Sequence, residues 1–317
     1  MTLRRTLRAF SSALALPALL AAQDGGAQDG GAQHSAGQRT APIEAHLRAT
    51  GRITHTHAAP GLQGIAGPDT VTFTSGALTL RGIIYRPTGN GPFTTILFNH
   101  GSGTDYTREV SAVGPAYAAL GFAFFAPSRR GQWLSSGTGG YIIDSLDAIE
   151  KSGGKAARDS LLVALMQGPQ LADVRAALSW IKRQPFVNAR RVLVAGNSFG
   201  GIVTVLASAR VDGLIGAIDF AGAAQTWGGS PSLQTAMTSA ATHARVPIFF
   251  GQAENDYDLT PSRALSSAMS AAGRQNVLRI FPAFGITTAE GHSFGYFGGA
   301  IWGPDVTGFV KSLTHHP

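Results

Sequence analysis

The chain is predicted to be an α/β protein: a mostly parallel sheet of about eight strands, with helices on both faces and no large lid. Three observations predict it. From Phe93 onward, short apolar runs alternate with helical stretches, and strands separated by helices pair in parallel. One of those strand-to-helix junctions reads Gly196-Asn197-Ser198-Phe199-Gly200. Between Phe220 and Val246 there is room for one short helix and nothing larger.

In chain order, strands are expected at Thr70–Phe73, Leu78–Tyr85, Thr94–Asn99, Phe122–Ala126, Arg191–Ala195, Leu214–Phe220, Val246–Phe250 and Val277–Phe281. Helices are expected at Arg108–Leu120, Pro169–Arg183, Phe199–Ala209, Pro261–Ala272 and Pro304–Leu313. The segment from Gly131 to Gly168 exceeds a minimal connection. An extra helix over Ala156–Gln167 would fill it and could wall a substrate site.

At the junction, the apolar run Val192–Ala195 precedes the Gly-x-Ser-x-Gly pattern and an apolar helix follows it. This is the order in which a serine is presented on a sharp, strained turn at the carboxyl edge of a sheet. A Cβ at Gly196 or Gly200 would crowd the strand and helix that meet there. The helix beginning at Phe199 also aims its unpaired N–H groups at charge developing beside Ser198.

A serine nucleophile needs a base, and the base needs an orienting acid. Four histidines follow Ser198: His243, His292, His315 and His316. His243 directly precedes a strand and so lies at the wrong edge of the sheet, and the last two fall in the terminal tail. His292, after the last strand, is the expected base. For the acid, Gln252–Pro261 carries three carboxylates after the strand Val246–Phe250. Asp256, mid-loop, is the preferred choice. Glu254 and Asp258 stay open, as does Asp219 at the end of Leu214–Phe220. Two N–H donors are then needed for an oxyanion. Phe199 would supply one. The other would come from His100-Gly101-Ser102-Gly103 after the strand Thr94–Asn99, with Ser102 preferred and Gly101 the alternative. His100 reads as orienting this loop.

From about Asp69 to Phe309 the sequence resembles an α/β-hydrolase, most similar to the dienelactone-hydrolase and prolyl-oligopeptidase-like esterases. The residues that carry the resemblance are Gly82-Ile-Ile-Tyr-Arg-Pro87, the His100-Gly101 loop, Ala126-Pro-Ser-Arg-Arg-Gly131, the helix Leu171–Trp180, the serine junction, Phe281-Pro282 and Gly291-His292-Ser293-Phe294. The resemblance implies the α/β-hydrolase fold, a Ser198–His292–Asp256 triad, a small-molecule ester substrate, and neither cofactor nor metal. Dienelactone hydrolases proper use a cysteine nucleophile, and this chain has no cysteine. The expectation is therefore a carboxylic ester hydrolase of the serine type acting on short to medium acyl chains. A peptidase of the same fold is the rival, although the prolyl-oligopeptidase relatives carry an additional propeller domain. An idle hydrolase fold used only for binding is a second rival.

The 317 residues are 44% hydrophobic, enough for one large domain. Residues 1–22 read as a signal peptide, with Arg4, Arg5 and Arg8 ahead of the apolar run Phe10–Ala22. Export to a secreted or periplasmic location would follow, with no membrane span in the mature form. Residues 23–50, opening on a doubled Gln-Asp-Gly-Gly-Ala, read as a low-complexity flexible tether, leaving 51–317 as the catalytic domain. Because residues 1–22 hold three arginines and no acid, their loss lowers the formal charge from +7 to +4. That mild charge, without a basic cluster interleaved with aromatics, argues against a nucleic-acid partner. His55-Thr-His57 has metal-like spacing, but no carboxylate or cysteine stands nearby to complete a site.

Overall fold

The computed structural model describes residues 64–313. The expected signal peptide (1–22) and tether (23–50), together with His55, His57, His315 and His316, lie outside those residues.

Eight strands form one sheet in the order β1-β2-β4-β3-β5-β6-β7-β8. They are β1 (Ile65–Ser75), β2 (Leu78–Pro87), β3 (Phe93–Asn99), β4 (Ala123–Pro127), β5 (Val187–Asn197), β6 (Gly216–Phe220), β7 (Ile248–Ala253) and β8 (Asn276–Phe281). The β1–β2 and β2–β4 pairs are antiparallel, and every pair from β4 to β8 is parallel. This is the α/β-hydrolase sheet that the strand pattern predicts.

Among the described residues nine α-helices connect and cover it: α1 (Thr107–Ala119), α2 (Ile142–Leu165), α3 (Leu171–Ile181), α4 (Phe199–Arg210), α5 (Pro231–Thr242), α6 (Thr260–Ala271), α7 (Thr288–His292), α8 (Phe294–Phe297) and α9 (Gly299–Ser312). Alternation along the strands divides the core between the two faces. Val192 and Val194 of β5 pack with α2 through α6, while Leu193 and Ala195 pack with α1, α8 and α9. Each of these side chains is fully buried, worth roughly 1.5–3 kcal/mol apiece for the larger ones. Both faces of the central strands are thus apolar, which is why they read as continuous hydrophobic runs.

The short helices α7 and α8 are additions to the expected elements, and two expected helices differ in their bounds. The extra helix starts at Ile142 rather than Ala156 and runs to Leu165, with a break at Gly154, whose φ of 75° lies in the left-handed region. It buries Leu146 and Leu162 in the core and does not wall the cavity at Ser198. The last helix begins at Gly299, so Pro304 lies inside it. The segment between β6 and β7 holds one helix, α5, and a single 3₁₀ turn at Trp227–Gly229.

Candidate active site

Ser198 stands between β5 and α4 with φ 59° and ψ −121°, a conformation costly for a residue with a Cβ. The junction holds it there. A Cβ at Gly196 would come within 2.3 Å of the Gly200 carbonyl, and one at Gly200 within 1.8 Å of the Asn99 carbonyl. The Ser198 N–H donates to the Phe220 carbonyl at 3.0 Å, tying the turn to β6. Phe199 opens α4, so its N–H has no partner within the helix and remains available.

His292 ends the short helix α7, which is fixed by a capping box: the Thr287 hydroxyl accepts from the Glu290 N–H, and the Glu290 carboxylate accepts from the Thr287 N–H. Its Nδ1 lies 2.8 Å from Asp256 Oδ1. Asp256 also accepts from the Tyr257 N–H at 2.6 Å and from Gln252 Nε2 at 2.7 Å, and its carboxylate is fully buried. A histidine whose Nδ1–H points at a carboxylate offers its other nitrogen as an acceptor. That nitrogen, Nε2, is buried and has no hydrogen-bond partner, including Ser198 Oγ. Ser198 and His292 nevertheless line one cavity of about 180 Å³. Asn197 closes the distance between their elements, donating from Nδ2 to the His292 carbonyl at 3.2 Å.

The other acids go elsewhere. Asp258 accepts the Thr260 N–H at the start of α6, and Glu254 is exposed. Asp219 is completely buried beneath the junction, where it accepts the Gly222 N–H at 3.0 Å. Burial, together with the Asp256 carboxylate, pushes its carboxyl up to about 7. His243 is exposed at the amino end of β7, bonded through Nδ1 to the Ser239 carbonyl.

The four carbonyls of the loop after β3 all accept side-chain hydrogen bonds. Arg129 donates to the carbonyls of His100 and Gly101, Tyr141 to that of Ser102 at 2.6 Å, and Gln132 to that of Gly103 at 2.7 Å. The Gly101 N–H donates to Tyr296 Oη at 2.8 Å and the Gly103 N–H to Tyr106 Oη at 2.7 Å. The Ser102 N–H, between them, has no protein partner among the described residues, and Ser102 faces the cavity. Of the two candidate donors in this loop, the structure leaves Ser102 open and occupies Gly101. The Gly101 carbonyl and the Ser102 N–H belong to one peptide unit, so Arg129, by withdrawing electrons from the carbonyl, strengthens the N–H as a donor.

His100 is buried and stacks on Tyr106. Its Nε2 accepts from the Arg129 N–H at 3.1 Å, which puts the ring proton on Nδ1, 3.0 Å from the Gly101 carbonyl. Burial, and then the Arg129 charge, hold it well below the usual histidine range, so it stays neutral and structural. Burial also lowers Arg129 itself, whose guanidinium faces carbonyls and Gln132 rather than a carboxylate.

Tyr106, Tyr296, Arg129, Gln132, Tyr141 and Asn197 escape the sequence reading, although Arg129 lies in the Ala126–Gly131 motif. The contacts they make span up to 195 residues of chain. A larger cavity of about 480 Å³ lies against β8 and α9, but Arg279 and Asp305 in its wall are already paired at 2.9 Å. Among the described residues no group of three acids or histidines converges as a metal site would require, and no helix is long and apolar enough to cross a membrane.

Solved structures of similar fold include the esterase Est22 (TM-score 0.58, 15% identity, covering 80% of this chain and 81% of that one). DcsB, solved with its substrate analogue, aligns at TM-score 0.55 and 14% identity over 77% of this chain and 98% of its own. The acylaminoacyl peptidase of Pyrococcus horikoshii aligns at TM-score 0.51 and 16% identity over 68% of this chain, which spans 37% of the peptidase's length. No curated protein sequence matches. The model of the dienelactone hydrolase family, however, matches residues 80–296, well over half of the chain, and the chain belongs to that family.

Proposed function

We propose that the protein is a serine esterase, cleaving carboxylic esters of short to medium acyl chain through an acyl-enzyme. The observation that carries the reading is the Asp256–His292 pair, whose buried, unpartnered Nε2 shares a cavity with a serine held at positive φ. Ser198 Oγ attacks the ester carbonyl carbon while His292 Nε2 takes its proton. Asp256 holds the imidazole by Nδ1–H and stabilises the imidazolium. The oxyanion is met by the N–H groups of Phe199 and Ser102, each worth ~3–4 kcal/mol when aligned. The alcohol leaves with the proton from His292, and water then releases the acid by the same relay. Serine and histidine are not hydrogen-bonded in the free protein, so substrate must complete that contact, a common state of such pairs before binding.

Hydrolysis of p-nitrophenyl acetate, with an ester series graded by acyl length and matched amides, tests the reading. Esters should exceed amides, and Ser198→Ala should lose roughly 10⁶-fold in kcat. A variant keeping more than about a hundredth of the activity would overturn it. Export to a secreted or periplasmic location belongs to the same proposal and rests on residues 1–22. N-terminal sequencing of the exported chain should begin near Gln23.

A further inference from the structure

The cavity at Ser198 has an unusual wall for an esterase. Beyond the triad and the loop after β3, the described residues lining it are Tyr106, Glu109, Asn197, Gln225, Ser293 and Tyr296, with no aliphatic or phenylalanine side chain. Pockets that take hydrocarbon acyl chains are lined mainly by apolar side chains.

Glu109, in the first turn of α1, is half-buried and, among the described residues, forms no ion pair and no hydrogen bond to another residue, its carboxylate being held only by its own backbone N–H. Neighbouring Arg108 attracts it only through space, its guanidinium lying over the Phe297 ring, 4.8 Å from the centroid. Asp105 adds a second negative charge to the field and spends its carboxylate on the Thr107 N–H and hydroxyl. Burial pushes the Glu109 carboxyl up, the sign of a charge that has lost water without gaining a counter-ion. On the same wall, Tyr106 and Tyr296 are each nine-tenths buried. Each hydroxyl accepts a loop N–H, and neither proton has an acceptor among the described residues.

We infer that this cavity selects small polar substrates bearing a cationic group, an ammonium held by Glu109, with the tyrosine hydroxyls donating to an acceptor beside it. The inference rests on the proposed esterase reading for the chemistry at Ser198, and it narrows the substrate class to cationic esters.

Binding separates the two. Calorimetry on Ser198→Ala, which holds substrate without turnover, would compare two charge-isosteric pairs: acetylcholine against 3,3-dimethylbutyl acetate, and glycine ethyl ester against ethyl propionate. In at least one pair the cationic member should bind about tenfold more tightly at neutral pH, the equivalent of about 1.4 kcal/mol. Glu109→Gln in the same background should bring that pair to within about threefold, and Glu109→Asp should restore part of the preference. Equal binding in both pairs, or a preference that survives Glu109→Gln, overturns the inference. Failure of the wild-type protein to hydrolyse any ester overturns the esterase reading instead, and leaves the binding result to decide this one.

Discussion

In the loop after β3, all four carbonyls from His100 to Gly103 are held by side chains from remote parts of the chain, Arg129, Gln132 and Tyr141. In the loop after β7, Asp256 is held by near neighbours, Gln252 four residues before it and Tyr257 directly after, and only His292 comes from afar. In the proposed mechanism the first loop has to present a backbone N–H at a fixed point, and a flexible glycine-rich segment does that only if competing hydrogen bonds are already made. The second presents a carboxylate to an imidazole, and a short strand-end turn with two local donors is enough. One loop is rigid by tertiary cross-linking, the other by local turn chemistry.

The sharpest way to break the comparison is at the acid. Asp256→Asn should lower kcat by ~10⁴-fold, because the amide favours the wrong imidazole tautomer. Asp258→Asn should cost under about tenfold, since its carboxylate accepts the Thr260 N–H at the start of α6 and makes no bond to His292. Steady-state turnover of one activated ester measures both. A crippling Asp258→Asn would show that the loop after β7 rearranges on substrate binding.

A smaller effect is expected on the other loop. Arg129→Met removes its bonds to both carbonyls and to Gln132 Oε1, and leaves the His100 carbonyl without its side-chain donor while Gly101 keeps those from His100 Nδ1 and Gln132, costing on the order of 1–3 kcal/mol of stability. It also removes the polarisation of the Ser102 peptide. The loss should fall on kcat, by about 10–100-fold, with KM nearly unchanged, because an oxyanion donor acts mainly on the transition state. Gln132, an uncharged donor, shares only the Gly101 carbonyl with Arg129 and also holds that of Gly103, so kcat of Gln132→Met should fall by under about tenfold. A KM that rises in step would mean Arg129 shapes the binding pocket rather than the oxyanion donor.

The same contrast explains what could be read in advance. All eight strands and the Ser198 junction follow from local periodicity and from glycines that only one backbone geometry requires. The contact of His292 with Asp256 and its place in one cavity with Ser198 follow from chain order, because this topology brings the ends of β7 and β8 to that edge of the sheet. The acid stayed ambiguous because Glu254, Asp256 and Asp258 share one turn, and only the carboxylate direction separates them. Arg129, Tyr106, Tyr296 and Glu109 carry no such local mark. Their roles arise when β3, β4 and the segment after β8 meet, and a residue's type says nothing of partners 29 or 195 positions away. The start of α2 differs from expectation for a related reason: Gly153-Gly154 looks like a helix boundary and the helix does break at Gly154, but burial of Leu146 holds a further helical segment ahead of the break.

The smallest effect concerns Asp219, a buried carboxylate that neither loop uses. Unfolded, it ionises near 3.8; in the folded protein its carboxyl is pushed up to about 7. Between those values the folded state keeps a proton that the unfolded state has released, so stability falls as pH rises. The fall ends near pH 7, by which point the cost is roughly 4 kcal/mol. Asp219→Asn keeps the acceptor for the Gly222 N–H and cannot ionise. Urea midpoints of the two proteins should therefore lie close at pH 4, diverge in favour of the variant as pH rises toward 7, and stay at a constant separation by pH 8. Esterase turnover should change by less than about tenfold, because Asp219 contacts neither His292 nor the cavity. Parallel midpoints across the whole range would show that the folded protein ionises Asp219 as readily as the unfolded chain. Its place beneath the junction would then be a matter of packing against Gly201 and Gly222 alone.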